Sequence, residues 1–182
     1  MSKIELPPQT MLIPLPAVLV SCAGEKHEPN IITISWIGIV NSEPPMLSIS
    51  VASKRYSHSI IKKSGEFVVN LTSEDNLDAV DFCGTKSGKN IDKFKEMNLT
   101  LFPAKKVNAP LIAECPINLE CRVTESKVLG SHEMFIAEIV AVHADEEYLD
   151  ADKRPIIDKL KPLVYCTVAR EYRGGLTKLR SR

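Results

Sequence analysis

A chain of 182 residues in which 23 Lys and Arg balance 23 Asp and Glu is long enough for one domain with a sizeable core, and it lacks the strongly basic field of a protein that wraps nucleic acid. Its five cysteines are odd in number and include no Cys-x-x-Cys pair, which suits a reducing compartment better than a disulfide framework or a zinc ribbon. Pro7, Pro8, Pro14 and Pro16 interrupt the apolar N-terminal stretch, and no run approaches the ~20 apolar residues of a membrane span, so a cytoplasmic protein with no membrane partner is expected.

Short runs rich in Val, Ile and Leu recur between turn signals. In chain order they are AVLVSCA (17–23), IITISWIGIV (31–40), MLSISVA (46–52), FVVNL (67–71), INLECRVT (117–124), MFIAEIVAV (134–142) and LVYCTVA (163–169). Seven such runs with few long helical patterns predict a mainly β body of antiparallel strands with a few short helices. We expect a single domain over 1–182, with the N-terminal ~11 residues and the basic stretch RGGLTKLRSR at the C-terminus peripheral to it.

In the second run, strand alternation puts Ile31, Thr33 and Ser35 on one face and Asn30, Ile32, Ile34 and Trp36 on the other. Ser48 and Ser50 share a face of the strand that follows the Glu-Pro-Pro corner. Small hydroxyls on neighbouring strands either line a barrel interior with room for a planar, polar-edged ligand or simply make a half-polar face. Trp36 cannot share the face of Thr33 and Ser35 on a regular strand. It reaches the same ligand only from a strand end or a bulge.

The stretch SKRYSHSII brings Ser53, Lys54, Arg55 and Ser57 to a strand-to-helix corner, with Ser57 as the expected cap and Gly65 as the stop. Free N–H groups, a helix dipole, a hydroxyl and two cations there suit a phosphate monoester, or they make an ordinary capped helix. Ser73 precedes a second helix, EDNLDAVDFCG, with Gly84 as its expected stop. A third is expected to begin near Asn90. The loop CGTKSGKNIDKF is not a nucleotide-hydrolase phosphate loop: Gly84 and Gly88 are one residue too close, Asn90 follows Lys89 where Ser or Thr is required, and a helix precedes it in place of a strand. It remains a cationic loop carrying Lys86, Lys89 and Lys93, which either covers an anionic ligand or is a polar connection.

Along 117–124, Ile117, Leu119, Cys121 and Val123 alternate with Asn118, Glu120, Arg122 and Thr124, so one face is expected to meet water. His132 follows a Gly turn at the mouth of a strand, where it points into a pocket or stays on the surface. The four histidines show no metal-ligand spacing, and no metal is expected.

In order and spacing, these pieces resemble the flavin reductase-like family of FMN-binding split barrels, and within it the flavoredoxin branch. The resemblance runs from about Leu12 to Gly175. It is carried by Asn30, Thr33, Ser35 and Trp36; by Pro44, Pro45 and Met46; by Ser53 to Ser57; by Asp92, Lys93 and Phe94; by Gly130, Ser131 and His132 with the Ala137–Ile139 strand end; and by Lys161 to Tyr165. It implies a six-stranded antiparallel Greek-key split β-barrel, a homodimer and an FMN cofactor. The flavin would be held at Asn30, Trp36, Ser57, Lys93, His132 and Tyr165, with further contacts from Thr33, Ser35, Ser50 and Arg55. Lys93 and His132 are the catalytic candidates, tuning or gating the flavin.

The function this implies is a flavin-dependent oxidoreductase that moves electrons from NAD(P)H through FMN to free flavin, ferric iron or a protein acceptor. A flavoredoxin-type carrier reduced by a redox protein partner is the alternative. An FMN-binding domain without a redox role is a third.

Overall fold

Each of the seven apolar runs forms a strand in the computed structural model, which describes residues 2–24 and 27–180. The elements in order are β1 (Leu15–Pro16), β2 (Val18–Gly24), β3 (His27–Ile34), β4 (Ile37–Ser42), β5 (Pro45–Ala52), α1 (Tyr56–Ser64), β6 (Glu66–Leu71), α2 (Leu77–Thr85), α3 (Lys93–Glu96), β7 (Leu101–Phe102), β8 (Leu111–Ile112), β9 (Ile117–Val128), β10 (His132–Ala144), α4 (Ile157–Leu160), β11 (Val164–Cys166) and β12 (Glu171–Arg173). Ser181 and Arg182 of the basic tail lie outside the described residues. Among the described residues, no helix is long and apolar enough to cross a membrane.

The main sheet has seven strands in the order β3-β2-β6-β9-β10-β5-β4, and each of its pairings is antiparallel. Its two edges, β3 and β4, are consecutive in the chain and are joined through Ser35 and Trp36 alone. The sheet therefore curls until one chain segment serves both edges, although no ladder pairs them among the described residues. The expected count of six becomes seven because this one run is bent into two strands. The architecture is the split barrel that the mainly β pattern and the resemblance led us to expect.

Alternation sends Leu47, Ile49 and Val51 of β5, Ile32 and Ile34 of β3, and Phe67 and Val69 of β6 into the same core. Ile60 and Ile61 of α1 join it. Each such buried side chain contributes about 1.5–3 kcal/mol, so the barrel interior is filled by apolar groups. Of the two readings open for the hydroxyls, Thr33 does not follow the barrel-lining one: Ile31, on its face, meets a second core outside the barrel, with Ala79, Val80 and Cys83 of α2 and Phe94 of α3. Thr33 follows the same face, its hydroxyl donating to Val80 O at 2.5 Å.

The outer face of β9 is also drier than its alternation implies. Asn118 and Glu120 are buried because segment 105–112 folds over them. Glu120 accepts the backbone N–H groups of Lys105, Lys106 and Val107 and a bond from His143 Nε2 at 2.5 Å. Asn118 donates to Asn70 Oδ1, which also accepts the Ile112 N–H. Burial pushes the Glu120 carboxyl up, but these bonds together hold it below its ordinary value.

The helix ends differ from the sequence expectation in instructive ways. The N-cap of α1 lies two residues earlier than the expected Ser57, at Arg55, with no side-chain capping bond, and the Ser57 hydroxyl is engaged instead by Asn30 Nδ2 at 2.7 Å. Gly65 does stop the helix, at φ +68°. Ser73 does cap, in a reciprocal box with Asn76, but what it caps is a 3-10 turn, Glu74–Asn76, that leads into α2. Gly84 is not a stop, since α2 runs on to Thr85. A Cβ there would lie 3.3 Å from Thr33 Cβ, so the glycine permits α2 to lie close on β3. α3 starts at Lys93 with Asp92 as its cap, later than Asn90.

Candidate functional site

The period of two along β3 divides the candidate residues between two cavities. Asn30 and Ile32 point to a pocket of about 160 Å³ beside the start of α1, lined also by Arg55, Ser57, Cys83 and Lys93. Thr33 and Ser35 point the opposite way, to a cleft of about 330 Å³ lined also by Asp81, Gly84, Tyr165, Arg170 and Tyr172. Tyr165 and Tyr172 face each other there with ring centroids 5.0 Å apart. Burial, with the Asp81 carboxylate and Tyr165 nearby, pushes the Tyr172 hydroxyl up to about 12. Thr33, Ser35 and Tyr165, expected beside Asn30 and Ser57, therefore line a separate cleft on the other face of the strand.

The smaller pocket is built for an anion. Lys54, Arg55, Lys86 and Lys93 are among its lining residues and no carboxylate is. Lys93 is 4 % exposed, and its Nζ donates to Ile31 O at 2.8 Å and Cys83 O at 2.9 Å. An ammonium has three N–H donors, so one remains for the pocket. Burial, with Arg55 adding to it against an opposing effect of the Cys83 and Cys22 thiols, holds Lys93 below its ordinary value. Asn30, 4 % exposed, is held by Ser57, and the uncapped first turn of α1 supplies free backbone donors and the positive end of its dipole.

Loop 86–92 crosses this pocket. Lys86, Ser87 and Gly88 line it, and a Cβ added at Gly88 would overlap the Asn30 amide. Residues 86–88 of the cationic loop thus form one wall of this pocket, with Gly88 in direct apposition to Asn30. The Cys83 thiol, also in the lining, is pushed up to about 11 by burial, with partial relief from Lys93, and is an inert wall.

Trp36, Ser50 and His132 line neither cavity. Trp36 sits in the bend between β3 and β4, a strand-end position, and its ring stacks on that of His132 with centroids 4.5 Å apart and planes 31° apart. The Ser50 N–H donates to Trp36 O. His132 is the register partner of Ala52, and the Arg55 N–H donates to Ala52 O, so the aromatic pair and the anion pocket share one end of the sheet. Among the described residues, no group of three or more His, Cys, Asp or Glu is arranged to hold a metal ion.

The donor set fits a phosphate monoester attached to a planar group: the buried Lys93 and Ser57 with the exposed Lys54, Arg55 and Lys86 at one point, stacked aromatic rings at the same sheet end. The family model described as "Flavin reductase like domain" matches residues 10–175. The chain belongs to this family. A protein of Archaeoglobus fulgidus is 38 % identical over 139 residues, covering 76 % of this chain and 77 % of its own. The solved flavoredoxin of Desulfovibrio vulgaris (Miyazaki F) superposes with a TM-score of 0.92 at 32 % identity, over 99 % of this chain and 97 % of that one. A flavoredoxin from Methanosarcina acetivorans does so at 0.92 and 30 %, over 100 % and 95 %. This flavin reductase-like chain thus has the split-barrel fold of its solved relatives.

Sequence reasoning did not find Arg170, Asp81 and Tyr172 of the second cleft, nor the set in which His58, Lys62 and Ser126 meet the buried Glu133. Glu133 and His58 are 75 positions apart, and no local pattern joins them.

Proposed function

We propose that the protein is an FMN-dependent oxidoreductase of the cytoplasm that takes electrons from NAD(P)H and passes them to free flavin, ferric iron or a protein acceptor. The observation that carries this reading is the anion pocket of a flavin reductase-like chain, in which the Lys93 ammonium, 4 % exposed, keeps one N–H donor for a ligand. Arg55, Ser57, Asn30 and Lys93 would hold the phosphate, and the Trp36–His132 pair with Ser50 would face the ring. Thr33, Ser35 and Tyr165 have no part in holding the phosphate on this reading. When bound, FMN supplies reversible acceptance of a hydride and release of electrons singly or in pairs. Lys93 contributes positive charge beside the site, and His132 a ring that orders Trp36 and limits access from solvent.

The reading treats residues 1–182 as one domain and includes a homodimer. Ile39 and Val40 of edge strand β4 are 70 % and 51 % exposed, beside Trp36 at 37 %, an apolar edge suited to a second copy. A carrier reduced by a protein partner is the second reading, favoured by the two flavoredoxin structures that match at a TM-score of 0.92.

A visible spectrum of the purified protein, followed by anaerobic titration with NADH and NADPH, tests both. Bleaching of the flavin bands by either nicotinamide supports the reductase. Reduction by a protein donor alone moves the assignment to the carrier. A colourless preparation that takes up no added FMN overturns flavin binding itself.

A further inference from the structure

Glu133 is 2 % exposed, yet it belongs to neither cavity. Its Oε2 accepts from His58 Nε2 at 2.7 Å and from Lys62 Nζ at 3.0 Å. Its Oε1 accepts from Lys62 Nζ at 3.1 Å and from Ser126 Oγ at 2.8 Å. His58 and Lys62 are one turn apart on α1, so both reach the carboxylate from the same helix face. Ser126 comes from β9 and Glu133 from β10, and three elements thus meet at one carboxylate. The His58 ring also packs on Phe135, centroids 5.6 Å apart.

We propose that Glu133 is a positioning residue for the flavin site, holding the first turn of α1 in place against the phosphate of bound FMN. The inference rests on the FMN reading above and deepens it. Three observations support it. The residue after Ser57 is His58, and the residue before Glu133 is His132, so the buried pair joins the two backbone segments that carry the anion pocket and the aromatic pair. α1 has no side-chain cap; its first turn is held by the His58 N–H on Arg55 O and by Asn30 on Ser57, and Glu133 adds to these through His58. Finally, a buried carboxylate is a poor way to stabilise a fold, since apolar packing of similar volume serves as well or better. A fixed geometry is what this arrangement supplies.

Charge and geometry predict opposite outcomes, which makes the test decisive. Removing a negative charge near an anion site, by itself, tightens anion binding. Loss of positioning weakens it. The measurement is the dissociation constant of the purified full-length protein for FMN and for riboflavin, which lacks the phosphate, by flavin fluorescence. For Glu133→Gln, FMN affinity should fall about tenfold and riboflavin affinity by less than about threefold. Ser126→Ala, which removes one bond to Glu133 without changing charge, should move the same ratio about twofold to threefold. It serves if Glu133→Gln does not fold.

A ratio unchanged from wild type in both variants, whether the two affinities hold or fall together, overturns the inference, as does tighter FMN binding by Glu133→Gln. Wild-type protein that binds FMN no better than riboflavin overturns the phosphate reading first and this inference with it, so the two failures are distinguishable.

Discussion

The ring of Trp36, in the bend that turns one sheet edge into the other, lies 4.5 Å from the ring of His132 at the start of β10. Trp36 is the only tryptophan in the chain, so its emission reports on this end of the sheet alone. Addition of FMN should quench that emission in step with binding. His132→Ala, which removes the stacked partner, should lower FMN affinity about threefold to tenfold. Emission that stays constant while the protein takes up FMN would place the flavin elsewhere.

Because β3 sends Asn30 and Thr33 to opposite faces, the two cavities should respond to mutation independently. Arg55→Met should lower FMN affinity about tenfold with little effect on riboflavin. Thr33→Val, which deletes the bond to Val80 O, should cost about 1 kcal/mol of stability and leave the FMN-to-riboflavin ratio unchanged. Paired denaturation and binding curves check this, and a ratio that shifts in Thr33→Val would show that the second cleft also contacts the phosphate.

Gly88 lies against an Asn30 side chain that Ser57 holds in place. Gly88→Ala has no low-cost escape: either the loop lifts or Asn30 leaves Ser57. A stability loss of about 1–3 kcal/mol is expected, together with faster proteolysis within 86–92. Wild-type behaviour in both assays would mean that the loop does not rest on Asn30 in solution.

Stability should decline at both ends of the pH scale. The Lys62 ammonium, with bonds from Ser126 and His58 and against the effect of burial, holds the Glu133 carboxyl down to about 2 from 4.5. Its contribution is present above about pH 4.5 and is lost as pH falls toward 2. Burial pushes the thiols of Cys22 and Cys121 up to about 12 and Cys83 to about 11 from 9.0. Their contribution is present below about pH 9 and is lost as pH rises through 11 to 12. Melting temperatures across this range check both signs, and Glu133→Gln should flatten the acid limb.

Thiol accessibility gives a simpler check on the burial pattern. Cys22, Cys83, Cys115 and Cys121 are buried and Cys166 is only half-buried. An aromatic disulfide reagent at pH 8 should find one fast equivalent, with the remaining thiols released on denaturation. Two or more fast equivalents would contradict the packing of α2 on β3 or of β9 in the core.

The sequence by itself determined the runs that build the main sheet, and the family; it did not mark the short strands β1, β7, β8 and β12. Apolar alternation is a local property, and it marked every strand of the main sheet. It also required Trp36 to leave the regular strand if it was to meet what Thr33 and Ser35 meet. Helix termini were partly legible: Gly65 and Ser73 act through their own turns, whereas Ser57 and Gly84 serve contacts with β3 that no local pattern contains. Only the tertiary structure decided which face of each strand turns inward. It covered Asn118 and Glu120 with segment 105–112, set Asn30 and Thr33 in different cavities, and brought Glu133 to α1. These outcomes depend on which distant segment packs on a given face, and the energy of that choice lies in contacts between residues tens of positions apart.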